Sequence, residues 1–303
     1  MISINRAIEL KGIAILLIIF GHIFYEIFLV PNYLPSVGVF IFLILSGYGI
    51  MSSFLKKGPI NFFKRLLNIL IPYWIFSVLK IIFSVFYLQE TFSISEILSI
   101  FVGLDVFRIL DPTMWFIAYI IFWYIMMYLI YYRVSSNRVK IMLLGLCLLS
   151  MVFINYPNWT FYMLGFPLGV WIKENEKWTY LILYKISFIY FVYGIFILGP
   201  ILFISGARLI LMSISFVIGI LLIGTIIKLK LNSVFFYHFG SISFSLYLIE
   251  GYPIYSTELV ANFKDKTLFL VVYLTSIWTI SILFKILSNR IIKINIKGKN
   301  LNS

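Results

Sequence analysis

Four ionisable residues lie close together near the start of an otherwise apolar chain: Glu9, Lys11, His22 and Glu26. Lys11 and His22 are eleven residues apart, which on an α-helix is about 1100° of turn, or about 20° from eclipsed. They therefore share one helix face, separated by a rise of about 16.5 Å. Glu26 follows His22 at i+4, within reach of its ring. This geometry suits a long substrate with an anionic head and a reactive far end. A cation at the inner mouth holds phosphate while the imidazole removes a proton at the other end. The chain has two histidines; His238 falls in or beside an inner connection, which leaves His22 as the general base. A histidine simply hydrogen-bonded between helices would show the same spacing.

The elements that must carry these residues follow from composition. Of 303 residues, 62% are hydrophobic and only 12% charged, about half the charge of an ordinary soluble domain. Apolar runs near 8–30, 35–55, 69–89, 113–132, 139–156, 158–172, 178–204, 207–227, 233–256 and 267–288 are candidate spans. The sixth is short and contains Gly165, Pro167 and Gly169, so a broken or re-entrant helix is expected there alone. No small-residue cleavage site follows the first run, which reads as a permanent span rather than a signal peptide. The expected fold is all-α, with ten transmembrane helices forming a single domain over 1–303.

Loop charges support that count. One side collects Arg6, Lys56, Lys57, Lys64, Arg65, Arg133, Arg138, Lys140, Lys173, Lys177, Lys228, Lys230 and the basic C-terminal tail. The other side has Arg108, Arg208, Lys264 and Lys266 mixed with Glu90, Glu96, Asp105, Asp111, Glu258 and Asp265. Both termini are thus expected in the cytoplasm. The net charge of +13 belongs to these clusters and forms no continuous basic face for nucleic acid. Between the third and fourth runs, Ile94, Ile97, Leu98, Ile100, Phe101 and Leu104 are spaced for a short amphipathic helix at the outer interface. Lys80 and Lys185 fall inside spans, where snorkelling toward an interface explains them. The single cysteine, Cys147, excludes an internal disulfide. No zinc spacing, P-loop, nucleotide-fold glycine motif or Gly-x-Ser-x-Gly elbow is present, so no metal is expected.

Taken in order, several motifs resemble the integral-membrane acyltransferase family 3, typified by bacterial O-acetyltransferases of surface polysaccharides. Leu10-Lys11-Gly12-Ile13 through Phe20-Gly21-His22 resembles the family's arginine, ten residues, histidine opening. Val37-Gly38-Val39-Phe40-Ile41-Phe42 and Leu45-Ser46-Gly47-Tyr48 resemble its second-helix signature. Phe62-Phe63-Lys64-Arg65 with Ile71-Pro72-Tyr73-Trp74 resembles its entry into the third helix, and Trp115-Phe116 its Trp-Phe pair. Gly240-Ser241-Ile242-Ser243-Phe244-Ser245-Leu246-Tyr247-Leu248-Ile249 resembles its last motif. There are departures: Lys11 stands where arginine is usual, which keeps the charge but loses the bidentate fork. Asn68 replaces a second arginine, and Glu250 a common histidine.

The resemblance implies an acyl-coenzyme A donor, with acetyl-coenzyme A as co-substrate, entering from the cytoplasm. It also implies an acceptor hydroxyl, usually a sugar's, reached from the other side of a bacterial cytoplasmic membrane. Lys11, Lys64 and Arg65 would then hold the nucleotide phosphates, His22 would be the base and Glu26 would orient or stabilise its ring. Ser46, Asp111, Trp115, Tyr247 and Glu250 are the candidate substrate contacts. Each has a plainer reading. Lys64 and Arg65 also serve as a topology signal, and Ser46-Gly47 as small-residue packing. Trp115-Phe116 also suits an interfacial anchor, and Ser245 with Tyr247 a satisfied polar pair between helices. A transporter or flippase of a lipid-linked or anionic solute is the alternative of another class, and a catalytically inert sensor a third. The acceptor, the acyl chain length and the state of homo-oligomerisation are left open by the sequence.

Overall fold

The computed structural model describes residues 2–57, 62–87, 89–103, 112–133, 136–153, 157–177, 217–225, 232–255 and 265–300. Among them all regular structure is helical. The helices are α1 (Ile4–Glu26), α2 (Leu34–Lys57), α3 (Phe62–Phe86), α4 (Ile94–Phe101), α5 (Trp115–Arg133) and α6 (Asn137–Phe153). They continue with α7 (Pro157–Tyr162), α8 (Gly165–Glu174), α9 (Val234–Ser241), α10 (Ser243–Tyr255) and α11 (Lys266–Asn300). Residues 217–225 are also helical. Among the described residues four helices are long and apolar enough to cross a membrane, over Ile4–Glu26, Leu34–Lys56, Lys64–Phe86 and Lys266–Ile292. The chain is a multi-pass all-α membrane protein. The expected seventh span, most of the eighth, and Asp111 lie outside the described residues.

Helix ends are set by local chemistry. Ser3 Oγ accepts the Arg6 N–H at 3.2 Å and starts α1. α4 carries a full capping box in which Ser93 and Glu96 satisfy each other's backbone N–H. Asp265 accepts from the N–H groups of Thr267 and Leu268 and starts α11. α1 ends with Leu29 at φ 56° and the Val30 N–H bonded to the Phe24 carbonyl at 2.8 Å. That is a left-handed C-terminal cap built without glycine.

The sixth run is broken, as expected, between Tyr162 and Gly165. The ninth, read from sequence as one continuous span, is broken as well, at Ile242 between α9 and α10. The reason is local and tertiary together. The Ser241 and Ser243 hydroxyls donate back to the carbonyls of His238 and Gly240 at 2.8 and 2.9 Å, competing with the helical ladder. Gly240 in the same turn is pressed against the backbone of α1, where a Cβ would collide with the Ile8 carbonyl.

The chain divides into two compact units. One comprises Met1–Ile60 with Val134–Ser243, the other Asn61–Arg133 with Phe244–Ser303. In the first unit α1 packs on α9 and α2, and α2 on α8. Glycines set these close approaches. Gly12 faces the Phe236 carbonyl on α9, and Gly47 and Gly169 let α2 and α8 meet backbone to backbone. Leu10, Ala14, Val37, Ile41, Ile44, Leu45 and Tyr48 form the buried centre of this unit with Ile172, Ile218 and Ile223.

In the second unit α3 packs on α4, α5 and α11. Ser77 and Ser84 of α3 and Ser281 and Ser288 of α11 are buried. Each pair is seven residues apart, so small side chains recur on one face of each helix. Trp74 Nε1 donates to the Phe101 carbonyl at 2.7 Å and ties α4 to α3.

Candidate active site

In the first unit, Lys11 and His22 both lie on α1 and both are half-buried. Ile15 and Ile18, which fall between them on the shared face, are buried, Ile18 against Gly38 of α2, so the stretch of α1 between cation and imidazole is apolar and packed. Glu26 is half-buried in the last turn of α1, one turn beyond His22. The chain folds back over this end of the helix. Asn32 Nδ2 donates to the carbonyl of Gly21, the residue before His22, at 2.9 Å, and Pro35 occupies the space a Gly21 side chain would need.

α1 and α2 are antiparallel neighbours, with Gly21 against Pro35 and Ala14 and Ile18 against Gly38. Continued along both helices, that register places Ser46 and Tyr48 beside the first turns of α1. Ser46 is thus at the Lys11 end, about 20 Å of helix rise from the level of His22. The fold does not bring Ser46 and His22 together.

The same end of the unit holds a polar cluster that spacing alone did not reveal. Arg6 Nη1 is 3.1 Å from Glu9 Oε2, and the other oxygen of buried Glu9 accepts the N–H of Ser233 at the start of α9 at 3.3 Å. On the α2 side, the Tyr48 hydroxyl accepts the Ile2 N–H at 3.1 Å and donates to Glu176 Oε1 at 2.5 Å. Lys173, only 8% exposed, donates to Glu176 Oε2 at 2.5 Å, and its Nζ lies 5.2 Å from the Tyr48 ring centre. Burial opposes ionisation of Glu176, but the bonds from Lys173 and Tyr48 outweigh it and hold the carboxyl below the usual carboxylate range. Tyr48 closes a quoted motif and Lys173 to Glu176 is an i,i+3 spacing. The 128 residues between Tyr48 and Glu176 hid the link.

The second unit holds Lys64, Arg65, Trp115, Tyr247 and Glu250. Lys64 is exposed and Arg65 half-buried at the start of α3, where the Arg65 side chain hydrogen-bonds the Tyr124 phenol of α5. Trp115 and Tyr247 are brought to one place. The Tyr247 hydroxyl donates to the Thr113 carbonyl at 2.5 Å, and its ring stands edge-on to Phe116 at 5.4 Å. Trp115 is 7% exposed and packs on Phe116 and Tyr119, so it is a buried packing residue rather than an anchor facing headgroups. Glu250, three residues after Tyr247 in α10, is fully buried. The Tyr273 hydroxyl lies 3.0 Å from its carbonyl and 3.5 Å from Oε2. Lys80 does not simply snorkel: its Nζ sits 3.2 Å above the Tyr252 ring centre, a cation–π contact between α3 and α10. His238 lies within α9, half-buried.

In comparison with protein families, a family model described as an acyltransferase domain aligns with residues 5–286. No curated protein and no solved structure matches the chain.

Proposed function

Because the chain belongs to acyltransferase family 3, and is therefore a membrane acyltransferase, we propose that it is an O-acyltransferase, transferring acetyl from cytoplasmic acetyl-coenzyme A. The acceptor is a hydroxyl of a cell-surface or exported glycan. The observation that carries this reading is the family match over 5–286, within which half-buried Lys11 and His22 share the face of α1. Residues 1–303 act as one transmembrane domain of ten spans in a bacterial cytoplasmic membrane, with both termini cytoplasmic.

His22 takes the proton of the acceptor hydroxyl as its oxygen attacks the thioester carbonyl. A C–O bond forms, the C–S bond breaks, and coenzyme A leaves as thiolate and is protonated to the thiol. The proton on His22 returns to that leaving group or to solvent. Lys11 faces the donor phosphates at the inner mouth, Lys64 and Arg65 supply further charge, and Glu26 steadies the imidazolium. Ser46, Asp111, Trp115, Tyr247 and Glu250 remain the proposed substrate contacts. The Glu250 carboxylate with Tyr273 is a polar site in the second unit where the family commonly has histidine. His22→Ala should lower kcat by about 10² to 10⁴-fold, the usual worth of a general base, while leaving donor affinity within twofold. Unchanged turnover in a folded variant would remove His22 from the mechanism.

A second reading has one specific observation in its favour. Among the described residues two apolar runs, not one, are broken, at 163–164 and at Ile242, and transporters place substrates at broken helices. Solute flux without consumption of acetyl-coenzyme A would establish transport instead.

A further inference from the structure

A buried polar cluster lies at the Lys11 end of α1 in the first unit, and the reaction outlined above uses none of it. Tyr48 is at its centre. The ring is buried with Leu10, the neighbour of Lys11, in the core of the unit. The hydroxyl makes two bonds in opposite senses, accepting from Ile2 N–H and donating to Glu176. Glu176 is in turn bound by Lys173, whose side chain is almost wholly buried. One hydroxyl therefore links the residue that leads into α1, the middle of α2 and the chain just after α8. From the other side, Glu9 ties the same stretch of α1 to the start of α9 through Ser233.

A lysine holds phosphate as a point charge on a flexible stem. Lys11 lacks the planar fork that would orient it by itself, so its placement depends on the helix that carries it. We propose that Tyr48, braced by the Lys173–Glu176 pair, is a positioning residue for the donor site. It holds the first turns of α1, and with them Lys11, in the register that meets the anionic head of the acyl donor. The pair also keeps the Glu176 charge engaged with Lys173, so that it does not repel an incoming phosphate. This inference rests on the acyltransferase reading for the identity of the donor.

The test compares wild type with Tyr48→Phe, Glu176→Gln and the double variant, using acetyl-coenzyme A as the probe. Tyr48→Phe is the primary variant because it removes a single oxygen. Glu176→Gln leaves Lys173 buried beside a neutral amide, so its thermal stability is checked alongside. Each single change should raise the donor Kd and KM by roughly two- to tenfold, as loss of one hydrogen bond would, with kcat within twofold of wild type. The double variant should be no weaker than the weaker single one, because both changes break one chain of bonds. Amide exchange in residues 2–11 should quicken in both single variants. Unchanged donor affinity beside a binding wild type, a fall in kcat at constant KM, additive effects, or unchanged exchange would each overturn the positioning role. A folded wild type that binds no donor would instead overturn the acyltransferase reading and, with it, the donor assignment made here.

Discussion

At the scale of single residues, charge and hydrogen bonding make separable predictions. Lys11→Ala should weaken acetyl-coenzyme A binding by about tenfold or more, the cost of one charge-assisted contact, with little change in kcat once the donor is saturating. Binding titrations beside turnover measurements check the split. Glu176 makes a prediction about pH. Its carboxyl is held below the ordinary range in the folded protein, so the unfolded chain binds its proton more tightly. The stability it contributes is complete above the normal glutamate pKa of about 4.3 and is lost as pH falls through the lowered folded value. The Tm of detergent-purified wild type should therefore fall more steeply than that of Glu176→Gln on acidification from pH 5. Parallel curves would contradict the assignment. The relative placement of Lys11, His22 and Glu26 on α1 was legible in the sequence because an α-helix fixes their mutual angle whatever surrounds it. Tyr48, Lys173 and Glu176 were not, because only the packing of α2 on α8 makes them neighbours.

At the scale of elements, close helix approaches and caps decide the outcome. A methyl group at Gly12 or Gly240 would meet the backbone of the facing helix, the carbonyls of Phe236 and Ile8 respectively. Backbone cannot step aside as a side chain can. Gly12→Ala or Gly240→Ala should thus destabilise the protein by about 1–3 kcal/mol through overpacking, read as a lowered Tm. Leu29 is strained in the opposite sense. It is 78% exposed and sits in the left-handed region at φ 56°, which costs a branched residue about 1–2 kcal/mol. Leu29→Gly should raise the Tm or leave it unchanged, despite the greater freedom glycine brings to the unfolded chain. The helix Ile94–Phe101 could be read from its apolar spacing, a local signal. The break at Ile242 could not. The helix period continues through it, and the forces that end α9 there are two serine hydroxyls and the contact of Gly240 with α1.

At the scale of the whole molecule, composition alone announced a membrane protein, because 12% charged residues cannot cover a surface facing water. The four longest helices were visible as unbroken apolar runs, since a span need satisfy only length and hydropathy. The division into two units was not visible. The first unit takes in 1–60 and 134–243, the second 61–133 and 244–303, and no linker composition marks those crossings. The proposed orientation makes its own prediction at this scale. A cysteine placed in the basic tail near Lys297 should be labelled only from the cytoplasmic side, and one placed beside Asp265 only from outside. The most direct test of His22-dependent acyl transfer is turnover of acetyl-coenzyme A by purified protein in proteoliposomes, wild type beside His22→Ala. Wild type should bind the donor and consume it slowly with water as acceptor, releasing acetate and free thiol, and His22→Ala should bind it without turnover. A folded wild type that neither binds nor consumes the donor, or a His22→Ala variant that turns over like wild type, would contradict it.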